Sequence, residues 1–145
     1  MRVFIAGIMQ GSLAGSQIVA QDYRERIRQI LAQKYPQAQI IDPWALHPDS
    51  VDYGDEEARR AFLDMIDVAG QADRLVAYLP QASMGTALEM WRAYERGVPV
   101  FTISPLAENW VVRFLSVRVF PGLGEFAEFI AAGGLDGSIA PIEGQ

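Results

Sequence analysis

The sequence contains no cysteine and only one histidine, His47, among its 145 residues. The lack of cysteine excludes disulfides, thiolate metal sites and a cysteine nucleophile, and a single histidine excludes any multi-histidine metal site. The N-terminal apolar run is too short to cross a membrane, and no signal-peptide cleavage pattern follows it. We therefore expect a cytoplasmic protein with no bound metal and no membrane partner.

Basic residues are also few. Twelve lysines and arginines stand against 18 acidic residues, which gives a net charge of −6. Nucleic-acid backbones attract basic surfaces, so this balance argues against a nucleic-acid polymer as partner. A small anionic ligand is still compatible, because a few backbone N–H groups can hold one phosphate. Half of the residues are apolar, enough for the core of one domain.

Short apolar runs alternate with helical patterns along the chain. The runs that predict buried strands are residues 2–7, 38–41, 74–79 and 98–104. The segments that predict helices are residues 17–34, 56–71, 86–96 and 123–130, and residues 110–119 are amphipathic. This alternation predicts an α/β fold with a doubly wound, mostly parallel sheet of the flavodoxin or Rossmann type and helices on both faces. We expect one domain over residues 1–132 and a weakly ordered tail over residues 133–145.

Loops that follow strands are the candidate ligand sites, because parallel sheets bind ligands at the carboxyl ends of their strands. The first such loop follows the first predicted strand, and Gly7, Gln10, Gly11 and Ser12 are its candidate binding residues, although it lacks a GxGxxG pattern. A long polar loop at residues 43–55 contains His47. Loops of that length are often functional, but a lone loop histidine is more typical of a solvated side chain than of a catalyst.

The third strand is followed by Ser83-Met84-Gly85-Thr86 and then by a helix. The first-turn N–H groups of a helix have no internal partners, and together with the helix dipole they favour an anion. This makes Ser83, Gly85 and Thr86 candidate binding residues. Glu89 lies about one turn farther along and is surrounded in sequence by apolar residues, so this isolated carboxylate calls for a functional reason.

Asp64 and Asp67 are spaced i, i+3 on the second predicted helix, which places both near one face. They can be polar positions that flank an amphipathic helix. Alternatively, one of them supplies a second carboxylate near Glu89, since two carboxylates can act as nucleophile and proton donor. The spacing leaves open which of the two would act.

Several segments together resemble the nucleoside 2-deoxyribosyltransferase superfamily, which includes the 2'-deoxynucleoside 5'-phosphate N-hydrolases. They are VFIAG at residues 3–7, AD-x-x-VA at 72–77, S-x-G-T-A-x-E at 83–89 and Gly-Val-Pro-Val at 97–100. The resemblance covers roughly residues 2–104 in order and spacing. The S-x-G-T-A-x-E stretch after a strand is its most specific part.

The resemblance implies that Glu89 is a nucleophile that attacks C1' of a sugar and forms a glycosyl ester, which water or another base then resolves. It implies no metal and no organic cofactor. The helix aspartate, Asp64 or Asp67, would position the sugar or protonate the leaving base. Asn109 would contribute across a subunit interface, and we expect a homodimer or a higher homo-oligomer.

The resemblance also bears on the ligand, a small-molecule nucleoside or nucleotide. The nucleotide hydrolases have serine at the position of Ser83, which favours a 5'-monophosphate, whereas the transferases have aspartate. Gln10 replaces an arginine of the first loop, which argues against a phosphate. Phe4 replaces a tyrosine that orients the nucleophile, and both departures favour a protein that binds without turnover. The alternatives are a non-catalytic nucleotide-binding or sensor module on the same fold, and a flavodoxin-like domain with another ligand.

Overall fold

The computed structural model describes residues 1–10, 13, 17–137 and 139. Within them a five-stranded, all-parallel sheet runs in the order β2-β1-β3-β4-β5. Its strands are β1 (Arg2–Gly7), β2 (Gln39–Ile41), β3 (Arg74–Tyr78), β4 (Val100–Ile103) and β5 (Arg118–Phe120). The helices are α1 (Asp22–Lys34), α2 (Pro43–Leu46), α3 (Asp55–Ala69), α4 (Met84–Glu95), α5 (Trp110–Leu115) and α6 (Leu123–Ala131). A 3₁₀ turn covers Ser50–Asp52.

The sheet is covered on both faces, which confirms the predicted doubly wound fold. Alternate residues of the central strands enter two separate apolar clusters. One cluster joins the sheet to α1 and α6, for example through Ile5 and Ile27. The other joins it to α4 and α5 through Phe4, Met90 and Val112. A strand buried on both faces has no polar positions to alternate, which explains the continuous apolar runs in the sequence.

The structure differs from the prediction in the segment at residues 110–119. The helix ends at Leu115, and the chain then continues into β5, a strand that the sequence did not predict. Ser116 adopts an extended conformation, and its Oγ lies 2.7 Å from Thr102 Oγ1 of β4. Val117 N donates to Val100 O at 2.8 Å, and this starts the pairing of β5 with β4. The short strand was masked by the apolar spacing that it shares with the preceding helix.

Other element boundaries also shift. Helix α1 begins at Asp22, not at residue 17, and the loop predicted at residues 43–55 contains α2 and the 3₁₀ turn. Within the segment predicted as a tail, Leu135 is buried and its N–H donates to Tyr35 Oη at 3.0 Å. Residues 138 and 140–145 of that segment lie outside the described part of the chain. Among the described helices, none has the length and apolar character needed to cross a membrane.

The strand order determines where a ligand crevice lies. In a 2-1-3-4-5 parallel sheet the chain connections diverge between the first and third strands, and ligands bind beyond the carboxyl ends of those strands. Here β1 and β3 are hydrogen-bonded neighbours, with Gly7 paired to Tyr78 at their carboxyl ends. The residues that follow these two strands are therefore the first place to look for a site.

Candidate active site

A pocket of about 430 Å³ opens at this point of the sheet. Its volume lies within the range of about 300–1,000 Å³ that is typical of small-molecule sites. It is bounded by the end of β1, the connection between β2 and α3, one face of α3 and the start of α4. The lining residues include Gly7, Met9, Gln10, Pro43, His47, Ser50, Tyr53, Ala58, Ala61, Phe62, Met65, Ser83, Met84, Gly85, Thr86, Leu88 and Glu89.

Ser83 is the N-cap of α4. Its backbone is extended, and its Oγ accepts hydrogen bonds from Thr86 N at 3.4 Å and from Thr86 Oγ1 at 3.0 Å. The helix therefore begins at Met84, two residues before the predicted start. This cap fixes the first turn against the pocket, so that Ser83, Gly85 and Thr86 line it together.

Glu89 lies one turn farther along α4, half-buried in the pocket wall. Burial raises the pKa of its carboxyl to about 8, because the charged form loses hydration. The nearby Arg24 guanidinium lowers this pKa and the Asp42 carboxylate raises it, but burial has the largest effect. The carboxyl is therefore poised to change charge near neutral pH.

Behind the pocket lies a buried ion pair that the sequence reasoning missed. Arg24 Nη1 is 2.8 Å from Asp42 Oδ1, and both side chains are at most 3% exposed. The same guanidinium donates to Ile5 O and Gly7 O of β1, each at 3.1 Å. Asp42 also accepts from Trp44 N at 3.0 Å, which caps α2. A sign of this pair was available, because Arg24 falls on the apolar face of α1, next to Tyr23.

Tyr23 packs against the end of β1. Its hydroxyl donates to Ile8 O at 3.0 Å, and its ring stacks on that of Tyr78 with centroids 4.2 Å apart. Burial raises the pKa of this phenol well above its ordinary value. A Cβ at Gly7 would collide with the Tyr23 ring, which accounts for glycine at that position. Phe4 is fully buried on the other face of the sheet.

His47 lies in the part of the pocket wall formed by the connection between β2 and α3, in contrast to the interpretation of it as a solvated side chain. It follows α2, is half-buried and lines the pocket. Its Nδ1 is 3.1 Å from Tyr53 Oη, and the two rings meet edge-to-face with centroids 5.9 Å apart. The only signal in the sequence was the length of the loop, because no regular spacing connects His47 with Tyr53 or Glu89.

The structure brings together most of the predicted site residues that it describes. Gly7, Gln10, Ser83, Gly85, Thr86 and Glu89 all line the pocket. Gly11 and Ser12 lie outside the described residues. The site of this chain therefore combines the end of β1 with the start of α4, the helix that follows β3, as expected for the switch point of the sheet.

Three predicted residues do not line this pocket. Helix α3 presents Ala58, Ala61, Phe62 and Met65 to it, whereas Asp64 and Asp67 are exposed elsewhere on the helix. Asp67 pairs with Arg92 of α4 at 3.3 Å. Asn109 is exposed and caps α5 by accepting from Val111 N at 3.0 Å. No group of three or more metal-ligating side chains is found among the described residues.

No family model matches the sequence, and no curated protein matches it. Solved structures do match the fold. A 2-deoxyribosyltransferase from Bacillus psychrosaccharolyticus is 19% identical, with a TM-score of 0.67 over 97% of this chain and 98% of that one. A conserved protein from Enterococcus faecalis V583 is 18% identical, with a TM-score of 0.63 over 91% and 98%. A CMP N-glycosidase from Clostridium botulinum is 13% identical, with a TM-score of 0.53 over 91% and 99%. The fold of this chain is thus one that it shares with a 2-deoxyribosyltransferase and an N-glycosidase.

Proposed function

We propose that this protein cleaves or transfers the N-glycosidic bond of a nucleoside or nucleoside 5'-monophosphate, with Glu89 as the nucleophile. The observation that carries the proposal is a half-buried carboxylate in a pocket at the switch point of the sheet. Two supporting facts are the fold shared with a deoxyribosyltransferase and a CMP N-glycosidase, and the S-x-G-T-A-x-E stretch at residues 83–89.

In this mechanism the ionised Glu89 carboxylate attacks C1' of the sugar while the base departs. The transition state has oxocarbenium character, which a carboxylate on one face of the sugar stabilises. Water or a second base then attacks C1' and releases Glu89. The apolar side chains of α3, Phe62 and Met65 among them, offer a surface for the flat base.

The 5' substituent is the less defined part of the substrate. The Ser83 hydroxyl and the N–H groups that begin α4 are suited to a phosphate. No lysine or arginine lines the pocket among the described residues, and Gln10 does so where an arginine is expected of nucleotide hydrolases. We therefore expect activity on nucleosides as well as on 5'-monophosphates, and the assay includes both.

The test is release of free base, measured by chromatography, from deoxy- and ribonucleosides and their 5'-monophosphates, with and without an acceptor base. We expect Glu89→Gln to lower the rate by at least ~10³-fold, since it removes the attacking group. The matched control is Glu95→Gln on the exposed end of the same helix, which should keep the rate of the wild type. Base release that is unchanged by Glu89→Gln would contradict the proposal.

The resemblance gives Asp64 or Asp67 a supporting role, and their asparagine variants test it. Since neither lines the pocket of this chain, we expect each substitution to change kcat by less than about tenfold. A larger loss of kcat in a variant that remains folded would show that the aspartate reaches the substrate.

A non-catalytic binding module is the second candidate, and one observation favours it. With a pKa of about 8, Glu89 is mostly protonated at neutral pH, and a protonated carboxyl is a poor nucleophile. Calorimetry separates the two functions. Wild-type protein that binds nucleotides without any turnover, and whose Glu89→Ala variant still binds, would be a sensor and not an enzyme.

We also propose that the chain forms a homodimer through α4 and α5. Outside the pocket these helices expose a patch of large apolar side chains, defined as Trp91, Tyr94, Trp110, Val111 and Phe114. Trp110 alone is 76% exposed. Exposed apolar patches of this kind mark protein interfaces, and Asn109 borders this one.

Sedimentation velocity tests the dimer. We expect Trp110→Glu to yield a monomer, because it places a charge in the centre of the apolar contact. Leu46→Glu is the matched control, since Leu46 is also an exposed apolar residue but lies on α2, outside the patch. A monomeric wild-type protein would overturn the proposal.

A further inference from the structure

We propose that His47, oriented by Tyr53, holds the departing base and donates the proton that the base takes up as it leaves. The inference rests on the proposed glycosidic activity and adds a residue that neither the motif nor the resemblance supplied. It depends on the arrangement of the pocket, in which His47 and Glu89 occupy different walls.

Apart from Gln10, the polar side chains that line the pocket come from two parts of the chain. We call the set around Glu89, with Ser83 and Thr86, the carboxylate end, and the set of His47, Ser50 and Tyr53 the imidazole end. Helix α3 contributes only apolar side chains to the lining, namely Ala58, Ala61, Phe62 and Met65. A nucleoside has three parts that match these parts of the lining: a polar sugar, the flat apolar faces of the base and the polar edge of the base. When C1' is at Glu89, the edge of the base faces the imidazole end.

The contact with Tyr53 determines which atom of His47 is available. Nδ1 lies 3.1 Å from Tyr53 Oη, so Nε2 is the nitrogen that remains for a ligand. When the tyrosine hydroxyl donates to Nδ1, or when the imidazole is protonated, Nε2 carries a hydrogen. The ring is half-buried and further held by its edge-to-face contact with Tyr53. In these two states Nε2 is a hydrogen-bond donor held at a defined place in the wall.

The proton balance of the reaction can then be followed atom by atom. A Glu89 oxygen forms a bond to C1', the C1'–N bond breaks, and its electron pair stays on the base. The proton moves from Nε2 of the imidazolium to a ring nitrogen of the base, which leaves as a neutral molecule. Water next attacks C1' and gives its proton to the neutral imidazole, so that the Glu89 carboxylate and the imidazolium are both regenerated.

The kinetic test of proton donation by His47 uses substrates whose base leaves without taking up a proton. The panel compares each accepted nucleoside with an analogue whose base departs unaided, such as the N7-methylated form of a purine or the 5-nitro form of a pyrimidine. We expect His47→Gln to lower kcat by ~10²–10⁴-fold on the ordinary substrate and by less than about tenfold on the analogue. Tyr53→Phe should show the same selectivity with a smaller loss. Asp49→Asn, an exposed residue of the same connection, is the control that keeps both rates.

Nuclear magnetic resonance gives a readout that does not depend on turnover. His47 is the only histidine, so the imidazole signals of ¹⁵N-labelled protein are assigned without further work. We expect free adenine or cytosine to shift the Nε2 signal on binding, and Tyr53→Phe to shift that of Nδ1. A base that binds without moving the imidazole signals would overturn the inference.

The outcomes separate this inference from the function on which it rests. Base release that requires Glu89 but is unaffected by His47→Gln would overturn the role of His47 alone. Equal losses on ordinary and activated substrates would show that His47 only shapes the pocket, which also overturns it. If the wild-type protein released no base from any substrate, both the proposed function and this inference would be wrong.

Discussion

The two ends of the pocket are built in different ways. The carboxylate end stands on the sheet: Glu89 and Ser83 lie at the start of α4, and the buried pair of Arg24 and Asp42 holds the end of β1 behind them. The imidazole end lies on the connection between β2 and α3, where the contact with the Tyr53 side chain orients His47. We conclude that stability and chemistry are coupled at the first end and separable at the second.

The largest expected effect is a loss of folding stability caused by a substitution behind the carboxylate end of the pocket. Asp42→Ala leaves the buried Arg24 guanidinium without its counter-charge and removes the cap of α2. We expect the free energy of unfolding to fall by about 3–5 kcal/mol, as for other buried pairs that lose one partner. Denaturant titration measures it. Asp67→Ala is the control, because its bridge to Arg92 is exposed and should contribute less than about 1 kcal/mol. Equal losses in the two variants would contradict this view of the buried pair.

The second effect concerns pH and stability. The pKa of Glu89 is about 8 in the folded protein against its usual 4.5, so the folded state binds a proton that the unfolded chain has already released between these values. The free energy of unfolding therefore falls as pH rises from about 4.5 to about 8. At ~1.4 kcal/mol per pKa unit the whole effect is a few kcal/mol at most.

Glu89→Gln removes this dependence. We expect the variant to match the wild type near pH 4 and to be the more stable protein near pH 9, by thermal or urea unfolding at each pH. Glu95→Gln, on the exposed end of α4, should follow the wild-type curve. The free energy of unfolding of Glu89→Gln and that of the wild type could instead differ by the same amount at every pH. The pKa of the Glu89 carboxyl would then not be raised by burial, and stability and chemistry would not be coupled at the carboxylate end.

The contrast between the two ends also explains how far the sequence could be interpreted. The sheet and the start of α4 are local patterns: apolar runs, a capping serine and an isolated glutamate appear within a few residues of each other. The imidazole end depends on a loop that brings His47 and Tyr53 together without regular spacing. The pair of Arg24 and Asp42 joins α1 to the end of β2, a contact that only the tertiary fold creates.

The same reasoning applies to the predicted residues that the pocket does not contain. A spacing of i, i+3 placed Asp64 and Asp67 on one side of α3, but helical periodicity cannot tell which side faces a ligand. In the structure the apolar side, with Phe62 and Met65, lines the pocket. Strand β5 was overlooked for a related reason, since three residues are too few to show a period of two.

The third prediction tests the apolar wall that α3 contributes to the pocket. Phe62 lines the pocket and is 47% exposed, so its ring is free to contact a ligand and adds little to the core. We expect Phe62→Ala to raise KM about tenfold, ~1.4 kcal/mol of lost contact, with a small change in stability. Its neighbour Leu63 is similarly exposed but does not line the pocket, so Leu63→Ala should leave KM unchanged. A similar KM in both variants would place the base elsewhere.

The smallest effect separates the structural and chemical roles of Ser83. Ser83→Ala removes the cap that Thr86 N and Oγ1 use, and we expect a loss of ~1 kcal/mol in the free energy of unfolding. Ser83→Asp keeps a capping oxygen and should retain that stability, but its carboxylate would repel a 5'-phosphate. Kinetics with a nucleoside and its 5'-monophosphate therefore give the sharper result. A rise in KM for the monophosphate alone would place the phosphate at the start of α4, whereas equal KM changes would place the 5' end of the substrate away from Ser83.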